Sequence, residues 1–155
     1  MSCCGSSQFQ FPSAADRAAH YPQLQQWFES QWADFPSIAG PAHAQYGPVP
    51  APIVALDEDQ VLAGGLAFAW FVIPNMPEAP ASPPQQVWIN GVLVAPQHRR
   101  VGLASRLVSA AEREASAGDI QRLFVRTQYP VLYERLGWRR IHSEGDDHNL
   151  IKALT

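Results

Sequence analysis

The residues best able to do chemistry stand together in GVLVAPQHRRVGLASRL, residues 91–107. An apolar run meets a proline, then His98, Arg99 and Arg100, then the lone Gly102, then a helical pattern. Nothing in packing calls for three basic side chains at a strand-to-helix corner. A helix N-terminus placed there presents unpaired N–H groups and the positive end of the macrodipole. After a tight turn it is a ready anion site. Gly102 admits a ligand where a side chain would collide, and Ala104 keeps the next turn small. Ser105 adds a hydroxyl and an amide, while Arg99 and Arg100 bring charge suited to a pyrophosphate or a 3′-phosphate. Alone, the pattern R-x-x-G-x-A fits equally well two arginines that solvate an ordinary helix start. It is neither a P-loop, which needs Lys-Ser/Thr after the glycine, nor the dinucleotide G-x-G-x-x-G.

The elements that must position this corner are legible on either side. VWINGVLV (87–94) reads as a long strand that delivers the chain to it. The helix over 102–117 leaves it with Ala104, Leu107, Val108, Ala111 and Ala115 on one apolar stripe, and Gly118 is its expected stop. IQRLFVR (120–126) reads as the next strand, PVLYERLG (130–137) as a short helix, WRRIHS (138–143) and HNLIKAL (148–154) as closing strands. Upstream, QFQF (8–11) alternates like a short strand. A helix from Asp16 carries Leu24, Trp27, Phe28, Gln31 and Trp32 at helical spacing. That face reads as core, the alternative being Trp27 or Trp32 in a substrate cleft. PIVALD (52–57) and VLAGGLAFAWFVI (61–73) form a hairpin, with Gly64 and Gly65 marking a bulge or a close backbone approach. Residues 36–50 read as loop and 74–86, with five prolines, as a stiff connection.

The bulk composition agrees with one mixed α/β domain over 8–155 preceded by a disordered terminus, 1–7. The chain has 155 residues, 46% apolar and 16% charged, enough to bury a core. Its net charge of −3 argues against a nucleic-acid partner, so the basic triplet is a local feature. No apolar run is long enough for a membrane span and no signal-peptide pattern opens the chain. Cys3 and Cys4 are adjacent, poor spacing for a metal, and no disulfide framework exists. No metal is expected, and a cytoplasmic location is.

YPVLYERLGW (129–138) follows about thirty residues after the corner. Together with VLVAPQHRRVGLASRLV (92–108) it resembles the GNAT superfamily of N-acetyltransferases, best over 87–141. The resemblance implies a mixed, mostly antiparallel twisted sheet flanked by helices and splayed between the strands at 87–94 and 120–126. It implies acetyl-CoA as cosubstrate, with Leu93 and Val94 offering backbone groups to the pantetheine. Arg99, Arg100, Val101, Gly102, Leu103, Ala104 and Ser105 would wrap the pyrophosphate. Tyr133 would return a proton to the departing thiolate, and a phenol of pKa about 10 suits a thiol of about 8.5. On packing alone Tyr133 reads as a core aromatic.

Three positions depart from the family pattern. Val101 stands where arginine or lysine is frequent, so the basic charge is moved by one position. Arg100 stands where glycine is usual, so a left-handed backbone there carries a cost. Asn90 stands where many members carry a glutamate base; an amide accepts no proton at neutral pH but can orient a water. Glu29, Asp34, Glu78, His142 and Glu144 are the other candidate bases, unranked. The expected reaction is direct acetyl transfer in a ternary complex to a primary amine, with a small-molecule acceptor favoured. A protein N-terminus or lysine is the alternative acceptor. A non-catalytic acyl-CoA-binding or regulatory domain is the alternative class, and homodimer pairing through an edge strand is compatible with this fold.

Overall fold

The structure is a computed structural model and describes residues 8–38, 49–71 and 86–154. The expected disordered terminus and most of the proline-rich connection lie outside those residues. Six strands form one sheet: β1 (Ile53–Leu56), β2 (Leu62–Phe71), β3 (Gln86–Val94), β4 (Arg122–Thr127), β5 (Arg139–Glu144) and β6 (Asp147–Ala153). Their spatial order is β1-β2-β3-β4-β6-β5. All pairings are antiparallel except β3 with β4, which the crossover helix α3 (Leu103–Ala117) joins. The expected strand–helix–strand centre between antiparallel hairpins is therefore present. The last strand β6 inserts between β4 and β5, leaving β5 as the edge.

Two helices cover opposite faces. α3 packs Leu103, Leu107, Val108, Ala111 and Ala115 against Ile53, Leu66, Phe68, Val87 and Ile89. The alanines let the helix lie close to the sheet, while Ala104 of the expected stripe is only half-buried. α3 stops at Gly118 as expected, though Gly118 is not the left-handed residue: its φ is −93°, and Asp119 takes φ 66°. Asp119 N–H bonds Ser116 O at 3.1 Å and Ile120 N–H bonds Ala115 O at 2.9 Å. This double closure satisfies the last carbonyls and folds Ile120 back onto the core.

On the other face, the expected N-terminal helix is broken into α1 (Ala14–Arg17), a 3-10 turn, and α2 (Tyr21–Gln31), with Pro22 at the start of α2. Leu24 and Phe28 of α2 pack on Val54, Leu56 and Ala67. Gly65 makes this approach possible: a Cβ there would lie 2.5 Å from a Leu24 methyl. The β1–β2 register also slips at Ala55/Leu56, where Ala63 is the extra residue, so the close approach falls on the glycine pair and the bulge beside it.

α1 is tied to α3 by a buried guanidinium. Arg17 is 2% exposed and makes a two-pronged contact with Glu114, both bonds at 2.7 Å, while its Nε donates to Pro52 O at 2.6 Å. Burying a charge without such partners would cost several kcal/mol, on the order of the whole fold's stability. Residues 8–11 form no strand; a single antiparallel bridge joins Gln10 to Leu56.

Candidate active site

The site is where β3 and β4 part. Their parallel pairing spans Trp88↔Phe124 and Ile89↔Val125, near the start of β3's exposed half. Beyond it a cavity of about 730 Å³ opens between Asn90–Val94 on one side and Arg126–Tyr129 on the other. That volume lies in the ordinary range for small-ligand sites.

A β-bulge at Asn90 shapes one wall. Ala67 pairs with Gly91 but Phe68 pairs with Ile89, so Asn90 is the extra residue. The bulge reverses which residues face which helix. Before it, Val87 and Ile89 face α3; after it, Val92 and Val94 do, while Leu93 turns to the α2 side. It also sets the main chain. Ala95 N–H bonds Ala63 O at 2.8 Å, which makes the opposing pair Ala95/Ala63 a hydrogen-bonded one. By antiparallel alternation Leu93 is then bonded to Gly65 of β2, and the N–H and C=O of Val92 and Val94 point away from β2 towards β4. Arg99 Nε donating to Val94 O at 3.1 Å agrees with that direction. Of the expected pantetheine-binding pair, Val94 presents its main chain to the cavity and Leu93 presents its main chain to β2. Val92 was not singled out by the sequence, since its exposure depends on the bulge.

The basic corner divides by function of each side chain. His98 turns away from the cavity: its ring meets Phe9 edge-on at 5.1 Å and its Nε2 lies 3.7 Å from Asp57 Oδ2. Asp57 caps the β1–β2 turn by accepting from Val61 N–H and Asp59 N–H, which holds its carboxyl below its usual pKa. Arg99 and Ala104 line the cavity; Arg100 and Val101 are exposed beside it. Leu103 sends its side chain into the core, 1% exposed, leaving only its amide for a ligand. Gly102 is the N-cap of α3 in the left-handed region (φ 81°), and no side chain caps the helix. The first helical bond is Arg106 N–H to Gly102 O, so the amides of Leu103, Ala104 and Ser105 precede the helical ladder. A Cβ on Gly102 would meet nothing within 4 Å, which means open space above the cap. Arg100 is itself left-handed, φ 68°, at a cost of about 1–2 kcal/mol for a residue with a Cβ.

Tyr133 lies on α4 (Pro130–Glu134), 4% exposed, and lines the cavity. Gly137 (φ 94°) turns the chain so that Trp138 folds back: its N–H bonds Tyr133 O at 3.0 Å and its ring meets the Tyr133 ring edge-on at 5.3 Å. The indole N–H is held by Glu112 at 2.9 Å. Tyr133 thus belongs to the core and to the cavity at once, and burial pushes its phenol well above the ordinary pKa. The phenol keeps its proton throughout the neutral range.

The remaining wall is polar and aromatic. Trp32, 45% exposed, stacks near Phe35 at 5.6 Å and borders the cavity, while Trp27 packs at the edge of the α2 core. Phe28 and Phe35 stack at 4.6 Å directly over Gly91, where a Cβ would lie 2.8 Å from Phe28. Arg126, Gln128, the exposed Tyr129 and Asp147 complete it. Glu29, Asp34, His142 and Glu144 lie outside the lining, though Glu144 holds Arg126 at 3.0 Å, and Glu78 falls outside the described residues. Among the described residues Asp147 is the carboxylate that lines the cavity, and it precedes the strand read from the sequence at 148. Among the described residues no group of three or more His, Cys, Asp or Glu side chains is placed to hold a metal ion. Nor is any helix there long and apolar enough to cross a membrane.

A model of the acetyltransferase (GNAT) family matches residues 20–138. No curated protein sequence matches the chain. Among solved structures, 96% of the chain aligns with 100% of a chain in the NatC complex bound to Gag peptide and CoA, at 15% identity and a TM-score of 0.70. Arabidopsis thaliana Naa50 in complex with the bisubstrate analogue CoA-Ac-MVNAL aligns over 94% of this chain and 99% of its own, at 15% identity and a TM-score of 0.61. Escherichia coli YhbS in complex with CoA aligns over 95% and 81%, at 17% identity and a TM-score of 0.59. At these identities the likeness is one of fold.

Proposed function

The chain belongs to the acetyltransferase (GNAT) family, and from that premise we propose that it transfers the acetyl group of acetyl-CoA to a primary amine by direct attack in a ternary complex. The observation that carries this reading is the cavity at the β3/β4 parting, which borders the buried Tyr133, Arg99 and the first turn of α3. Acetyl-CoA supplies an activated acetyl thioester. For the cosubstrate's phosphates, the ladder-free amides of Leu103, Ala104 and Ser105, the open space above Gly102, and the Arg99 and Arg100 guanidiniums form a cationic cradle. The cavity-facing main chain of Val92 and Val94 suits amide groups such as those of pantetheine, and an N–H there suits a developing oxyanion. Tyr133, protonated at neutral pH, gives its proton to the departing thiolate. Asn90, on the bulge, orients the acceptor's side of the cavity or a water within it.

We favour a small amine in the cytoplasm as acceptor. Trp32, Tyr129 and Asp147 in the cavity's lining offer aromatic faces and one carboxylate to a compact cation. Release of free thiol from acetyl-CoA tests the reading, with a panel of polyamines, amino acids, arylamines and peptide N-termini. Acceptor-dependent release by a small amine supports it. Release only with peptides moves the acceptor to a protein N-terminus. Binding of acetyl-CoA without release across the panel makes the chain a binding domain.

A further inference from the structure

We propose that Asp147 is the proton acceptor for the incoming amine, an inference that rests on the acetyl-transfer reading above. An amine that enters as an ammonium must lose a proton before it can attack. Asn90, nearest the parting of the strands, has no basic atom. Among the described residues that line the cavity, Asp147 is the one carboxylate, and no histidine lines it. The guanidiniums of Arg99 and Arg126 and the phenols of Tyr129 and Tyr133 there offer hydrogen-bond donors in place of a carboxylate or imidazole.

The carboxylate is placed for this work and is not used up by the fold. Oδ2 accepts from Arg126 Nη2 at 3.4 Å and Oδ1 from Gln128 Nε2 at 3.4 Å, both long. Arg126 has a nearer partner in Glu144, at 3.0 Å, so Asp147 is the less committed of its two carboxylates. Its side chain is 40% exposed, which keeps lone pairs open and a route to solvent. Register puts it at the cavity's margin: β4 continues two residues past the Val125↔Ile89 pair to Thr127, and Thr127 pairs with His148. Asp147 follows just beyond the end of β4, in reach of Arg126 and Gln128. Trp32 and Tyr129 line the same cavity and are partly exposed, and aromatic faces favour a cation before it is deprotonated.

The protons balance. The ammonium gives one to Asp147, and the neutral amine's lone pair forms the C–N bond. The C–S bond breaks and the thiolate takes the Tyr133 proton. The second nitrogen proton returns to the Tyr133 phenolate, and Asp147 releases its own to solvent. The net products are amide, free thiol and one proton.

The test compares wild type, Asp147→Asn and Asp147→Glu in thiol release from acetyl-CoA. The acceptors are benzylamine and spermidine, both ammonium ions at neutral pH, and p-anisidine, which is already neutral. Asp147→Asn is expected to lower kcat for the alkylamines at least ~100-fold at neutral pH, recovering as pH rises towards the amine's own pKa. With p-anisidine its kcat changes by less than ~3-fold. Asp147→Glu keeps the carboxylate and stays within ~10-fold of wild type on all three. Equal losses on both acceptor classes, a rise in KM with kcat intact, or Asp147→Glu as slow as Asp147→Asn would overturn the proposal. A wild-type enzyme that transfers to no amine overturns the acetyl-transfer reading itself, whatever the variants do.

Discussion

Replacing Tyr133 with phenylalanine separates its two roles, core aromatic and acid. The ring is 4% exposed and packs edge-on against Trp138 at 5.3 Å, and phenylalanine keeps both the volume and that contact. Only the hydroxyl goes, so the stability change near neutral pH should stay within about 1 kcal/mol. The catalytic loss should be far larger. A positioned general acid contributes about 10²–10⁴-fold, which at 1.36 kcal/mol per decade is about 3–5 kcal/mol of barrier. The assay is thiol release from acetyl-CoA with whichever amine serves the wild type, beside thermal unfolding of both proteins. Because burial raises the phenol's pKa, unfolded and folded Tyr133 are both protonated below about pH 10 and contribute no pH slope there. Above it the unfolded phenol ionises first, so native stability falls as pH rises towards the raised folded value. Tyr133→Phe removes that fall and should resist alkaline unfolding better than wild type. A variant that keeps full kcat, or one that unfolds at the same alkaline pH as wild type, would refute the respective half of the argument.

Gly91→Ala drives a methyl to 2.8 Å from Phe28 beneath the aromatic stack and should cost about 1–3 kcal/mol, a thermal shift of several degrees. Trimming the neighbour with Phe28→Leu should return part of it in a double-mutant cycle; additive losses would mean that the two do not touch. Glu114→Ala strands the Arg17 guanidinium, 2% exposed, and should destabilise by about 3 kcal/mol in urea unfolding, whereas a loss below ~0.5 kcal/mol would show the pair to be ornamental. Arg100→Gly relieves a left-handed residue but loosens the unfolded chain, so stability should rise by less than about 1 kcal/mol. Its coenzyme A affinity should fall, more at low salt than at high; a salt-independent affinity would remove Arg100 from the cradle.

What the sequence by itself determined is whatever is written locally. The elements either side of the corner follow from periods of two and 3.6 residues and from turn residues such as Gly137. So does the corner's own character: a glycine before a helix with arginines beside it is an anion site by short-range chemistry. The pairing of that corner with LYERLGW carried the family and, through it, the sheet. The tertiary structure alone decided which groups meet. The bulge at Asn90 is a property of β2 and β3 together, and it leaves the main chain of Val94 open as expected while exchanging that of Leu93 for Val92. His98 reads as part of a basic triplet until Phe9 and Asp57, forty residues and more away, draw it off. Arg17 and Glu114 stand 97 positions apart, and neither carries a local mark of burial. Asp147 looks like a turn residue of a hairpin, and it becomes the cavity's carboxylate because β6 inserts beside β4 and Arg126 reaches across. Local propensity acts over one or two turns of chain, whereas strand order and register are settled by the burial of the whole sheet.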